Sequence, residues 1–196
     1  QKLYEKKLCT YPRTDSNYLS DDMKSVVENV VECLIEYEPE RVSQLKSQGL
    51  NIDSRIINND KIGDHHAIIP TDNIKTLNLS KLTENEQRVI KLIINRFLSA
   101  VDMPYKYKET YYVFDAEYAE FELTIKIPVE LGWKKYNVNP DEKFPNGEFP
   151  EYKLNETFTV ENIIVKECEK APPKHYTDGT LISAMENIDN IIDDKE

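Results

Sequence analysis

A tyrosine and an arginine lie two residues apart near the start of the sequence, in the stretch CTYPRTDSNYLS (residues 9–20). The proline between them disfavours the helical conformation for Tyr11, so the segment should be extended, with Tyr11 and Arg13 on one face. An ordinary phenol, with a pKa of about 10, is ionised to roughly one part in a thousand at pH 7. A neighbouring guanidinium favours the phenolate and can bind a phosphate through its planar fork. The pair fits nucleophilic attack on a phosphodiester, although a packed tyrosine beside a surface arginine has the same spacing.

A second stretch, GDHHAIIPT (residues 63–71), holds two of the three histidines of the chain, His65 and His66, directly after Asp64. Adjacent histidines on an extended segment point apart, and no cysteine or third histidine is near in sequence, which disfavours zinc. An imidazole paired with a carboxylate could instead donate to a phosphate or transfer a proton. A surface loop without chemistry is the alternative that this stretch leaves open.

A third stretch, TDGT, opens a helix predicted from about Thr177. The free backbone amides at the start of this helix could receive a phosphate. Thr177, Asp178 and Thr180 are also ordinary helix-capping residue types, so the stretch by itself predicts a helix start rather than a site.

The composition describes a globular but polar chain of 196 residues, with 39% hydrophobic and 31% charged residues. No run approaches 18 apolar residues, so a membrane span is not expected. The net charge of −11 argues against broad, non-specific nucleic-acid affinity. Residues 1–13 nevertheless carry four cations against one acid, a net charge of +3. An anionic ligand should therefore bind near the N-terminal end.

Three cysteines, Cys9, Cys33 and Cys168, are odd in number and far apart in sequence. They form neither a disulfide framework nor a C-x-x-C metal site, and reduced thiols in the cytoplasm are the expectation. The sequence begins without Met, and both of its ends interrupt helical patterns. We therefore expect an internal piece of a longer protein, of unknown oligomeric state.

Helical patterns dominate the first half of the chain. Ser20 is expected to cap a helix over residues 21–37 with six apolar residues on one face, and a short helix is expected between Pro39 and Gly49. Thr83 begins a capping-box pattern before a long helix that ends near Pro104. The six apolar residues are Val26, Val27, Val30, Val31, Leu34 and Ile35.

Alternating apolar and polar residues then predict strands over residues 109–118, 120–131 and 156–170, with a long loop rich in proline and glycine before the third. The separation of helices from strands predicts an α+β fold. We expect a mainly helical domain with the tyrosine (residues 1–104), a β-rich domain (105–170) and the start of a further domain (171–196).

Taken together, three stretches resemble the type IA DNA topoisomerases. TYPRTDSNYLS is similar to the active-site signature of that family. DHHAIIPT is similar to its histidine-containing motif, in the form typical of the topoisomerase III branch. PPKHYTDGTLISAMENI is similar to the family segment that re-enters the domain beside the active site. The three matches come in the family's order and extend over nearly the whole chain.

The resemblance implies a role for each matching residue. Tyr11 would be the catalytic nucleophile, joined to the 5′ phosphate of one DNA strand as a phosphotyrosine ester. Arg13 would hold the scissile phosphate and stabilise its charge, and His65 would contact the phosphate region. The implied substrate-binding residues are Thr14, Asp15, Asp64, His66, Thr177, Asp178 and Thr180.

The resemblance also implies parts that this chain does not show. The family binds Mg²⁺ through a separate acidic domain that also supplies a glutamate for proton transfer, and no D-x-D-x pattern of that kind occurs here. The chain alone is therefore expected to be inactive. In the longer protein, another strand passes through the cleaved, mainly single-stranded DNA, and the β-rich domain forms the arch that lets the tyrosine move away. Resealing needs no ATP, consistent with the lack of a phosphate-binding G-x-x-x-x-G-K-[ST] loop.

Two alternatives compete with this interpretation: a tyrosine recombinase or relaxase, and a protein that is not an enzyme. Tyrosine recombinases need several separated arginines around a tyrosine that usually lies near the C-terminus, and relaxases place two histidines around one apolar residue. Neither arrangement matches Tyr11, His65 and His66. A helical adaptor module whose motifs are coincidental would have no chemistry at all.

Overall fold

The computed structural model describes residues 1–76, 78–137, 151–160, 162, 164–169, 171–186 and 188. Contacts between residues group the chain into two units, Gln1–Glu148 and Phe149–Glu196. The regular elements are α1 (Lys2–Glu5), α2 (Lys24–Cys33), α3 (Pro39–Gln48), α4 (Glu84–Ala100), β1 (Lys106–Asp115), β2 (Glu120–Glu130) and α5 (Asp178–Glu186). Helices and an antiparallel pair of strands make the described residues a mixed α+β structure, as predicted.

One hydrophobic core holds α2, α3 and α4 together. From α2 it contains Val27, Val30 and Val31, each 1% exposed or less, at the spacing that places residues on one face of a helix. The predicted face was too wide, since Val26 and Ile35 are exposed. Val26 lies at the edge of the apolar stripe, and Ile35 falls beyond the end of the helix. The other fully buried residues of this core include Leu34, Val42, Leu45, Ile90, Ile94, Leu98 and Val101.

The predicted bounds of α3 and α4 are correct to within a few residues, whereas those of α2 are not, since α2 begins at Lys24 and ends at Cys33 rather than Tyr37. Ser20 precedes a 3-10 turn (Asp21–Met23) rather than α2 itself, and its hydroxyl donates to the carboxylate of Asp22 instead of accepting a backbone N–H. By contrast, α3 begins at Pro39 and is followed by Gly49, whose φ of 83° favours glycine. Pro39 and Gly49 thus mark the two ends of α3.

The capping box of α4 also ties this helix to the N-terminal segment. Thr83 and Glu86 exchange hydrogen bonds, with the Thr83 N–H 2.8 Å from Glu86 Oε2. The other carboxylate oxygen of the buried Glu86 accepts from Lys6 Nζ at 2.8 Å. These hydrogen bonds lower the pKa of Glu86 from 4.5 to about 2, and the bond from Lys6 has the largest effect. The ion pair holds the chain just before Tyr11 against α4.

Because the folded pKa of Glu86 lies below its unfolded value, its contribution to stability is present above pH 4.5 and is lost as pH falls towards 2. We expect Glu86→Gln to lower the thermal midpoint at pH 7 and to flatten the dependence of that midpoint on pH below 5. Glu84→Gln is the matched control, since Glu84 is an exposed residue of the same helix paired with Arg88. A Glu86→Gln variant with the midpoint and acid dependence of the wild type would contradict this assignment.

A hairpin follows the helical part. β1 pairs antiparallel with β2, from Lys106 opposite Glu130 to Asp115 opposite Glu120. The two predicted strands thus exist, the first displaced by three residues and the second ending one residue early. The third predicted strand, over residues 156–170, is wrong for the part that the structure describes, where no residue is assigned to a strand. Alternation allows a strand but does not make one, because a strand forms only with a hydrogen-bonded neighbour.

The predicted long loop begins with a 3-10 turn, Gly132–Tyr136, and residues 138–150 lie outside the described residues. The side chain of Asn137 links this turn to α4. It donates to Ser99 Oγ at 2.7 Å and accepts from Asn95 at 2.6 Å. Gly132 has a φ of 48° and lies so close to Met103 that an added Cβ would be 2.3 Å from that residue's carbonyl oxygen. These contacts attach the base of the hairpin to the helical core.

The second unit contributes α5, which begins at Asp178, close to the predicted start. The described helices include none that is both long and apolar enough to cross a membrane. The predicted division into three domains stays a prediction.

Candidate active site

The segment before Tyr11 pairs with the segment after the two histidines. Cys9 forms an isolated antiparallel bridge with Pro70, and Thr10 N–H donates to the carbonyl of Ile69 at 3.0 Å. Cys9, Ile69 and Pro70 are buried, so this pairing is part of the core. Because the two segments run in opposite directions, the residues after Thr10 lie beside those before Ile69. The pairing therefore brings the tyrosine loop and the histidine loop together.

Tyr11 lies in a small aromatic cluster at this junction. Its ring centroid is 4.3 Å from that of His65, with the planes inclined by 44°. Tyr4, from α1, packs edge-on against Tyr11, at a centroid distance of 5.4 Å. Tyr11 is only half-buried and His65 is exposed. The phenol is thus oriented by its neighbours without being enclosed in the core.

The turn after Arg13 is fixed to the histidine loop by side chains. Thr14 Oγ1 donates to the carbonyl of His65 at 2.9 Å and accepts from the N–H of Ser16 at 3.1 Å. Ser16 Oγ donates in turn to the carbonyl of Lys61 at 2.9 Å. These small polar side chains hold the turn together and set the distance between the turn and His65.

Two clefts flank this junction. One, of about 520 Å³, is lined by Tyr11 together with Tyr4, Lys7, Thr10 and His66, among others. The other, of about 430 Å³, is lined by Arg13, Thr14, Asp15, Gly63, Asp64 and His65. The predicted residues of the first unit therefore line two adjacent clefts, one holding the phenol and the other the guanidinium. His65 lines the second cleft and packs against the phenol of the first.

His66 faces the cleft of the tyrosine rather than that of the arginine. Its Nδ1 lies 2.8 Å from the carbonyl oxygen of Ala67. Since a carbonyl only accepts, Nδ1 carries the proton, and Nε2 is the acceptor when the ring is neutral. The two adjacent histidines thus line different clefts, as expected for an extended segment.

Thr177, Asp178 and Thr180 belong to the second unit, which is described by itself. Thr177 N–H donates to Thr180 Oγ1 at 2.8 Å, and Thr180 N–H donates to Thr177 Oγ1 at 3.2 Å. These reciprocal bonds cap α5, and all three residues are exposed. Within this unit they form a helix start.

The acidic residues in the part of the chain that the structure describes are not gathered into a metal site. This part contains no group of three or more His, Cys, Asp or Glu side chains that could hold a metal ion. The resemblance implies Mg²⁺ in a separate domain, which stays a prediction, and no chemical step below is assigned to a metal.

Two residues around Tyr11, Tyr4 and Lys7, were not predicted from the sequence. Tyr4 supports the ring of Tyr11, and Lys7 lines its cleft. A helical pattern in LYEKK was visible, but which residues of so short a helix face the tyrosine depends on where the helix ends.

Comparison with known proteins gives a consistent result. A family model described as DNA topoisomerase matches residues 1–191. DNA topoisomerase 3 of Bacillus subtilis is 35% identical over 195 residues, covering 95% of this chain and 26% of that protein. The proteins of the same name from Bacillus licheniformis and Staphylococcus haemolyticus are 34% and 33% identical over 95% and 100% of this chain. The chain spans about a quarter of the length of the curated relatives it matches.

Proposed function

Since the chain belongs to the DNA topoisomerase family, we propose that it carries the active-site tyrosine of a type IA enzyme that cleaves and reseals one DNA strand. Tyr11 is the nucleophile. The observation that carries the proposal is the half-buried phenol of Tyr11, 4.3 Å ring to ring from His65 on an open cleft. A tyrosine with only a packing role would not require a histidine loop held beside it by hydrogen bonds.

The reaction exchanges one phosphate ester for another. The phenol oxygen of Tyr11 loses its proton and attacks the phosphorus, and the bond from phosphorus to the 3′ oxygen breaks. That oxygen gains a proton and leaves as a 3′ hydroxyl, while the 5′ phosphate stays on Tyr11. The reverse steps reseal the strand after another strand has passed, and they need no ATP because the ester bond is conserved.

Two further residues act on the phosphate. Arg13 holds the scissile phosphate through its planar fork and stabilises the charge that develops there. His65 contacts the same region, which is supported by its position between the phenol and the cleft of Arg13. The clefts beside Tyr11 and Arg13 suit a strand that runs past both residues.

The remaining predicted residues bind the substrate, which we propose is DNA in single-stranded segments. Thr14 and Asp15 shape the turn after Arg13, and Asp64 and His66 line the two clefts. In the second unit, Thr177, Asp178 and Thr180 line the DNA path. The charge of +3 over residues 1–13 supports contact with phosphates near the tyrosine.

The rest of the machinery lies outside the described residues. We propose that the acidic groups for Mg²⁺ and for proton transfer belong to a separate domain, as the resemblance implies. The hairpin of β1 and β2 belongs to the arch that lets Tyr11 separate from those groups. Three free cysteines favour a reducing compartment, and we propose the cytoplasm.

Incubation of the 196-residue chain with Mg²⁺ and a labelled single-stranded oligonucleotide tests this division of labour. We expect no cleavage and no covalent complex, whereas a longer protein that contains the chain should form both. Covalent attachment of the label to the chain alone would contradict the proposal that other residues are required. Failure of the longer protein to change DNA topology would contradict the proposed function itself.

A further inference from the structure

Lys7 has a backbone conformation that favours glycine. Its φ is +58°, in the left-handed region that residues with a Cβ rarely adopt. Lys7 N–H donates to the carbonyl of Tyr4 at 2.7 Å, and Leu8 N–H donates to that of Leu3 at 2.9 Å. These two bonds form the motif that commonly ends a helix, with Lys7 at the position usually taken by glycine. A lysine there makes the end of α1 less stable than a glycine would.

The same residue is fixed next to the nucleophile. Thr71 Oγ1 donates to the carbonyl oxygen of Lys7, and Thr71 belongs to the segment that pairs with the residues before Tyr11. Lys7 also lines the cleft of Tyr11 and His66. Lys7 therefore lines the cleft of the proposed nucleophile, at a position where both its backbone N–H and its carbonyl oxygen are hydrogen-bonded.

The ammonium group of Lys7 is available for a ligand. Across the described residues it has no hydrogen-bond or ion-pair partner, and the one carboxylate on its cleft, Glu5, accepts from Gln1. The preceding Lys6, by contrast, is paired with Glu86 at 2.8 Å. Two neighbouring lysines thus differ in role: the first stabilises the fold, and the second is left free beside the tyrosine.

We propose that Lys7 binds a phosphate of the DNA strand adjacent to the one that Tyr11 attacks, and so sets the register of the strand in the cleft. This inference rests on the proposed function. An ammonium is a point charge with three donors, which suits a phosphodiester and carries no preference for base sequence. The interaction accounts for a cation where the backbone favours glycine.

Binding of the chain to a single-stranded oligonucleotide, measured against salt concentration, tests the proposal. Lys7→Gln should weaken binding several-fold and reduce the slope of log affinity against log salt by about 0.7, the loss expected for one phosphate contact. Lys7→Gly should reduce the slope by the same amount. Its thermal midpoint should equal or exceed that of the wild type, because glycine suits the left-handed backbone. Lys7→Arg, which keeps the positive charge, should have the same slope as the wild type.

Lys6→Gln is the matched control. It removes the same charge one residue earlier, and should lower the thermal midpoint through Glu86 while leaving the salt slope unchanged. An unchanged slope for Lys7→Gln, equal losses for both variants, or no oligonucleotide binding by the chain would overturn the role of Lys7. If the longer protein still forms the tyrosine adduct, only this inference fails. Absence of that adduct would overturn the proposed function.

Discussion

Tyr11→Phe is expected to abolish strand cleavage in a longer protein that contains this chain, while DNA binding is retained. The substitution removes one oxygen and leaves the ring against His65 and Tyr4, so the fold should be unaffected. Loss of a covalent nucleophile lowers rates by up to about 10⁶-fold, which would place cleavage below detection. Relaxation of supercoiled DNA and binding of a single-stranded oligonucleotide measure the two properties separately.

Tyr4→Phe is the matched control for this experiment. Tyr4 belongs to the same aromatic cluster, and its variant loses the same kind of hydroxyl 5.4 Å away, ring to ring, from Tyr11. We expect it to relax DNA at close to the wild-type rate. Unchanged relaxation by Tyr11→Phe would instead favour a module without chemistry of its own.

Arg13→Ala is expected to slow cleavage by about 10²- to 10³-fold, the usual cost of removing one group that stabilises charge in a transition state. Arg13→Lys should recover only part of this loss, because an ammonium lacks the planar fork that binds two phosphate oxygens. Arg13 is exposed on its cleft, so neither variant should lower the thermal midpoint much. Single-turnover cleavage and thermal unfolding together check this prediction.

Arg88→Ala separates this effect from a general loss of positive charge. Arg88 is an exposed residue of α4 whose partner is Glu84, four residues earlier in the same helix. The Arg88→Ala variant should cleave DNA at the wild-type rate. If Arg13→Ala and Arg88→Ala slow the reaction equally, Arg13 does not act on the scissile phosphate.

Local sequence rules predicted the parts of the fold that depend on neighbouring residues. The capping box of Thr83 and Glu86, and the start of α3 at Pro39, need only residues within one turn. Predictions that depend on distant partners were less successful. The apolar alternation of residues 156–170 indicated a strand, yet a strand also requires a neighbour that no local pattern can specify.

In the candidate site, too, features set by neighbouring residues could be predicted and features that depend on distant partners could not. The extended segment and the turn after Arg13 follow from a proline and small polar residues. The contact between Tyr11 and His65 does not, because it depends on the pairing of Cys9 with Pro70. Only the resemblance to a family linked the two motifs beforehand. The left-handed backbone of Lys7 could not have been predicted either, because a lysine disfavours that conformation.

Mapping the covalent complex tests the role of Tyr11 most directly. A longer protein that contains the chain would be trapped on an oligonucleotide labelled at its 3′ end, digested with trypsin, and sequenced by mass spectrometry. We predict that the label is joined through a 5′ phosphate to Tyr11, in the peptide that ends at Arg13, with a free 3′ hydroxyl on the released strand. Attachment at any other residue, or through a 3′ phosphate, would contradict the account.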